Sequence, residues 1–170
     1  MLVLGATDPR VGCVVSQVPT ISENAVAKRR FMPESLAEVV AQNAADRAAR
    51  MAGRPARMAG RPARMRMLVS ADPADLPVYS APEAVAWYLR AGAGTGFENR
   101  VTLRSLEYAR AYEPGAHVAH ISPRPLMMIA AEQDHITPTD LALNAFARAS
   151  EPKALERIKG DRLGAERAAA

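Results

Sequence analysis

Asp134 is the residue best placed to do chemistry. It follows the apolar run 125–131 by three residues and stands just before Thr137-Pro-Thr-Asp140, which reads as a helix start. A carboxylate in such a strand-to-helix loop can orient and stabilise a histidine, or it can simply cap its own turn. His135 is its neighbour in sequence, but adjacent loop side chains diverge, so His135 is expected to be exposed rather than to act as a base. His117 and His120 stand at i, i+3. Two histidines without a third ligand are weak grounds for a metal, and a surface role is the simpler reading. Cys13 lies in an expected buried strand with no cationic helper nearby in sequence, so packing is expected to outweigh nucleophilic work. Ser16 and Ser105 sit in no Gly-x-Ser-x-Gly turn and are read as structural. Trp87 and Tyr88 are expected to pack within a helix.

The elements that must position these residues follow from pattern. Residues 11–18, a β-branched run opened by Asp8-Pro9-Arg10 and closed by Pro19, read as a buried strand, and residues 2–6 read as the last turns of a helix. Residues 33–51 form a helix with Pro33 in the first turn, Glu34 at the positive end of the dipole, and Leu36, Val39, Val40 and Ala44 on one face. Ser80-Ala-Pro-Glu83 predicts a capping box for a short helix through Leu89, and Asn99 predicts the cap of another over 101–109. Residues 125–131, apolar without alternation, predict a parallel strand covered on both faces. Thr137 as cap with Pro138 at N1 opens a helix whose Leu141, Ala142, Ala145, Phe146 and Ala149 face inward. Residues 153–159 are a weak strand candidate.

Strand, helix, strand, helix defines the α/β class. The roughly hundred residues between the two clear strands are mostly helical, as an inserted cap would be. The organisation expected is therefore a helix end and strand in 1–19, a helical cap in 20–120, the acid-bearing strand, loop and helix in 121–160, and a frayed tail in 161–170.

The 170 residues are 49% apolar and 24% charged, a globular balance. No apolar run reaches the ~18 residues of a membrane span, the short apolar start lacks a basic leader, and one cysteine fits a reducing compartment. A cytoplasmic protein without membrane partner or cofactor is expected. Net charge is +4, with all but three of the 22 basic residues arginine. Met51-Ala-Gly-Arg-Pro-Ala-Arg57 recurs unchanged as Met58-Ala-Gly-Arg-Pro-Ala-Arg64. The block could be a nucleic-acid footprint, but no aromatic interleaves with its arginines, so a duplicated surface loop is favoured.

The segment 121–140, Ile-Ser-Pro-Arg-Pro-Leu-Met-Met-Ile-Ala-Ala-Glu-Gln-Asp134-His-Ile-Thr-Pro-Thr-Asp140, resembles the late strand and acid loop of α/β-hydrolases, nearest in pattern to the dienelactone-hydrolase-like and acetyl-xylan-esterase-like branch. Residues 6–19 are similar to the stretch these proteins carry after the nucleophile helix, and 99–107 to a stretch of their cap. The resemblance implies a partial α/β-hydrolase sheet of late parallel strands with flanking helices plus a mostly helical cap, and acyl or ester substrates. It implies a triad ordered Ser, Asp or Glu, His along the chain, with Asp134 as the acid. No Gly-x-Ser-x-Gly occurs, and Lys153-Ala-Leu-Glu-Arg-Ile-Lys-Gly160 leads to Asp161-Arg-Leu-Gly164 where Gly-Gly-His is expected. The expectation is thus an orphaned acid in a truncated or frame-shifted hydrolase, inactive alone. Its alternatives are an arginine-rich nucleic-acid binder and an inactive partner of a hydrolase. An incomplete sheet would leave an edge strand open to self-association.

Overall fold

The computed structural model describes residues 1–52 and 64–160, and the chain divides into two compact units, Met1–Val26 with Tyr112–Ala170 and Ala27–Ala111. The expected tail and most of the arginine-rich repeat lie outside the described residues.

The first unit is built on a three-stranded parallel sheet ordered β1 (Val14–Gln17), β4 (Leu126–Ala131), β5 (Lys153–Ile158). Helix α1 (Leu2–Thr7) precedes β1, and α6 (Thr139–Arg148) connects β4 to β5. Leu126, Met128 and Ala130 of β4 point to one face and are buried with Ala142 and Ala145 of α6 and with Ala149, which follows it. The three alanines let the helix approach closely, and Leu141 and Phe146 pack against the same cluster from its margin. Val14, Leu2, Val118 and Ile121 complete this cluster. Gly5 is required where α1 meets β1, because a Cβ there would lie 2.3 Å from Val14 Cγ2. Lys153 donates to the carbonyls of Ala149 at 2.7 Å and Phe146 at 3.1 Å, closing the carbonyl end of α6.

Two expectations about the sheet are corrected. The first strand alternates rather than being buried throughout: Val14 and Ser16 point in, while Val15 is 52% exposed. In β4, Met127 is 37% exposed, so the face opposite α6 is less covered than the unbroken apolar run predicted. Strand β5 has the extent expected of residues 153–159, ending one residue earlier.

The second unit contains α3 (Pro33–Met51), α4 (Pro82–Gly92) and α5 (Leu103–Ala111), together with an antiparallel pair that sequence reading did not find, β2 (Met65–Met67) and β3 (Arg100–Thr102). A short helix α2 (Glu23–Arg30) runs across the sequence boundary between the units. Helix α3 has the predicted bounds, but its buried residues are Val39, Asn43 and Asp46, and Val40 is exposed. Asn99 does not cap α5. Its amide accepts from the Val69 N–H at 2.9 Å and donates to the Val69 carbonyl at 2.8 Å, acting as a strand partner would. Thr102 takes the capping role, accepting from the Ser105 N–H at 3.1 Å. The Ser80 capping box does not form: α4 starts at Pro82 with Ala81 as its cap and continues to Gly92.

Candidate functional site

Asp134 is fixed by the end of β4. Pairing with the β5 side persists past the strand, through Glu132 N–H to the Ile158 carbonyl and Gln133 N–H to the Gly160 carbonyl, both at 3.0 Å. The chain then turns back, and Thr139 Oγ1 donates to the Ala131 carbonyl at 2.6 Å. Inside this turn Asp134 is 6% exposed. Its Oδ1 accepts from the N–H groups of Ile136 at 2.9 Å and Thr137 at 2.7 Å, and its Oδ2 accepts from Thr137 Oγ1 at 2.5 Å.

Thr137 donates to the acid from the position before the cap; α6 begins one residue later than predicted, at Thr139, with Pro138 as its cap. Three donors lock the carboxylate in one orientation, as fixed charges in catalytic sites are locked. The hydroxyl occupies one lone pair of Oδ2, which leaves the other able to accept a further N–H. No histidine or serine hydrogen-bonds Asp134 among the described residues. The carboxylate organises its own turn, and a triad role would be added to that one.

The remaining candidates are dispersed. His135 is exposed, His117 is half-buried and His120 exposed in the 3-10 turn Pro114–His120. Among the described residues no three His, Cys, Asp or Glu side chains could hold a metal together. Cys13 is an exposed thiol just ahead of β1, correcting its expected place inside a buried strand. Ser16 is buried in β1, and Ser105 is exposed and paired with Thr102 Oγ1 at 2.7 Å. Trp87 and Tyr88 meet edge to face at 4.9 Å between centroids, and Tyr88 stacks on Tyr79 at 5.8 Å and on Phe97 at 6.3 Å. The guanidinium of Arg30 lies 4.7 Å above the Tyr79 ring and also donates to the Val78 carbonyl at 3.1 Å.

Sequence reasoning missed an open cleft of about 510 Å³ beside α6, lined by Ile21, Ser22, Glu113, Gly115, Leu141 and Arg148 among others. Ser22 Oγ donates to Glu113 at 2.9 Å and accepts from the Ala25 N–H at 3.0 Å. The only signal in sequence was Ser22 as a helix cap before Glu23. Asp134 does not line this cleft.

A parallel sheet with a buried acid at the carboxyl end of a strand, followed by a helix and one more parallel strand, is an α/β-hydrolase arrangement, and the chain has that fold. No family model matches it. Among solved structures it superposes on the α/β hydrolase GrgF from Penicillium sp. sh18 with a TM-score of 0.71 and 28% identity, covering 95% of this chain and 52% of that one. The DcsB complex with its substrate analogue gives a TM-score of 0.72 at 20% identity, covering 96% and 53%. Among curated proteins, a polyketide transferase of Gibberella fujikuroi is 29% identical over 160 residues, which are 89% of this chain and 43% of that protein. The chain thus spans about half the length of the relatives it matches. No helix among the described residues is long and apolar enough to cross a membrane.

Proposed function

We propose that the chain is the acid-bearing portion of an α/β-hydrolase acting on acyl or ester bonds, with Asp134 as the triad acid and no turnover from these 170 residues alone. The observation that carries the reading is the carboxylate itself: buried, held by three donors, and standing at the carboxyl end of a central parallel strand, where ligands of open α/β sheets are handled. The relatives' names support acyl chemistry, a polyketide chain being one candidate for the group transferred. The second unit corresponds to the cap in this reading.

The serine and histidine of the triad have no counterpart in the 170 residues, since no Gly-x-Ser-x-Gly or Gly-Gly-His occurs in them. Of the two oxyanion donors in this fold, one is the N–H after that serine. Asp134 alone can neither attack an acyl carbon nor polarise its carbonyl. The expected result is that the purified chain hydrolyses p-nitrophenyl acetate no faster than an equal concentration of imidazole groups, and that Asp134→Ala leaves that rate unchanged. Saturable turnover that disappears in the variant would overturn the reading.

An interaction role is favoured by one feature. Strand β1 pairs only with β4 among the described strands, and Val15 and Met127 lie side by side in register on the exposed face. Such an edge recruits further strands, so the chain self-associates. Sedimentation velocity is expected to show mass rising with concentration, and Val15→Lys to lower it. A monomer at all concentrations would remove this reading.

A further inference from the structure

The cleft beside α6 lies wholly within the first unit, and hydrogen bonds tie its walls together. The Gly115 N–H donates to the Ile21 carbonyl at 2.9 Å, and Arg148 Nη2 donates to the Gly115 carbonyl at 3.2 Å. A Cβ at Gly115 would lie 2.4 Å from Ile21 Cγ2 and 3.5 Å from Arg148 Nη2, so these three residues meet. Ser22, next to Ile21, and Glu113, two positions before Gly115, form the adjoining wall through their own bond at 2.9 Å. Leu141, Asn144 and Arg148 stand at i, i+3 and i+7 of α6 and supply the third wall. That wall runs for about 10 Å along the helix axis.

Two opposite charges enter this cleft without meeting. Among the described residues Glu113 accepts only from Ser22 Oγ, through Oε1, and Arg148 donates only to the neutral Gly115 carbonyl. Neither forms an ion pair with the other or with any other described residue, although both line the same volume of about 510 Å³. The second carboxylate oxygen of Glu113 and the Nε and Nη1 groups of Arg148 are therefore unspent. Their existing bonds hold them in place: Ser22 fixes the acid, and Gly115 fixes the guanidinium. Beside them the half-buried Leu141 presents apolar surface to the same space. An ammonium complements the carboxylate, a carboxylate complements the guanidinium in charge-assisted hydrogen bonds, and an apolar group complements Leu141.

We propose that this cleft binds a free α-amino acid with an apolar side chain. Its ammonium pairs with Glu113, its carboxylate with Arg148, and its side chain lies against Leu141. Asn144, between Leu141 and Arg148 on α6, offers an amide to the ligand's polar end. A cleft open to water leaves the ligand partly hydrated, so a dissociation constant on the order of 1 mM is expected. The site is separate from the acid loop, since Asp134 does not line it, and it stands or falls independently of the hydrolase reading.

The probe is L-leucine, followed by saturation transfer from the protein to its methyl protons, which is expected to saturate in that concentration range. N-acetyl-L-leucine lacks the ammonium and is expected to bind the parent about three- to tenfold more weakly. Glu113→Gln keeps an acceptor for Ser22 and loses only the charge. It is expected to weaken leucine by the same factor and to leave N-acetyl-L-leucine unchanged. Arg148→Met is expected to weaken both ligands. Glu113 is exposed, so its variant decides the question even where Arg148→Met disturbs the bond to Gly115. Absence of saturable transfer to leucine at about twenty times the expected dissociation constant would overturn the proposal. So would equal binding of leucine and its N-acetyl form by the parent, or equal binding of leucine by parent and Glu113→Gln.

Discussion

The two units bury different things. In the first, apolar side chains from α1, β1, β4 and α6 form one continuous cluster, and the buried polar residues are Ser16, Asp134 and Thr137. In the second, Val39, Val69, Val78, Ala84 and Leu103 share the interior with Asn43, Asp46 and Arg66, and ion pairs link α3 to α5. Apolar burial contributes on the order of 25 cal/mol per Å², whereas buried ion pairs return little beyond their desolvation cost. The difference teaches where the strength of the fold lies: the unit carrying the acid rests on one apolar cluster, and the other adds directional polar contacts to its apolar interior.

That contrast gives an order of expected effects. Met128 is fully buried at the centre of β4, so Met128→Ala is expected to cost about 2–5 kcal/mol, read from urea unfolding of the first unit. A cost below about 1 kcal/mol would mean that this core is looser than described. Asp134→Ala strands the buried N–H groups of Ile136 and Thr137, at about 1–3 kcal/mol for each unsatisfied group. The check is amide exchange, which should accelerate at residues 136 and 137; unchanged protection there would mean the carboxylate does not hold the turn. In the second unit, Thr102→Ala removes the α5 cap and is expected to cost about 1 kcal/mol by Trp87 fluorescence.

The smallest effect belongs to the surface of the first unit. Arg10 donates to Asp8 at 2.7 and 2.9 Å and holds its carboxyl below the ordinary value of 3.8. A lowered carboxyl pKa stabilises the fold at pH above 3.8, and the benefit is lost as pH falls through the lowered value. Arg10→Ala should return the Asp8 titration upward toward 3.8 in an NMR titration, with little change in stability because the pair is exposed.

Much of the first unit was legible in the sequence. The unbroken apolar run gave β4, and the alanine spacing of α6 gave its inner face. The start of α6 was misread by one residue: Pro138, expected at N1, is itself the cap, and the sequence did not show that Asp134 gathers the Thr137 hydroxyl and two backbone N–H groups just ahead of it. In α3 the bounds were legible from Pro33 and Glu34, yet the buried face was not, since Asn43 and Asp46 lie where periodicity looks for apolar residues. Strands β2 and β3, three residues each, are too short to carry a period. Asn99 was legible as a residue that satisfies backbone groups, but not as one that satisfies Val69, thirty positions away. Of the candidate site, the place of Asp134 was legible and its bonding was not.

The pairing of β1 with β4 joins strands about a hundred residues apart. During synthesis at roughly 5–20 residues per second, β1 waits on the order of 5–20 s before its partner exists. The unit from β4 through α6 to β5 closes over short distances, whereas the β1 pairing must close a loop of about a hundred residues. Until β4 is made, Val14 and Val15 have no strand partner, so the newborn chain carries an open edge of the kind on which nascent chains associate.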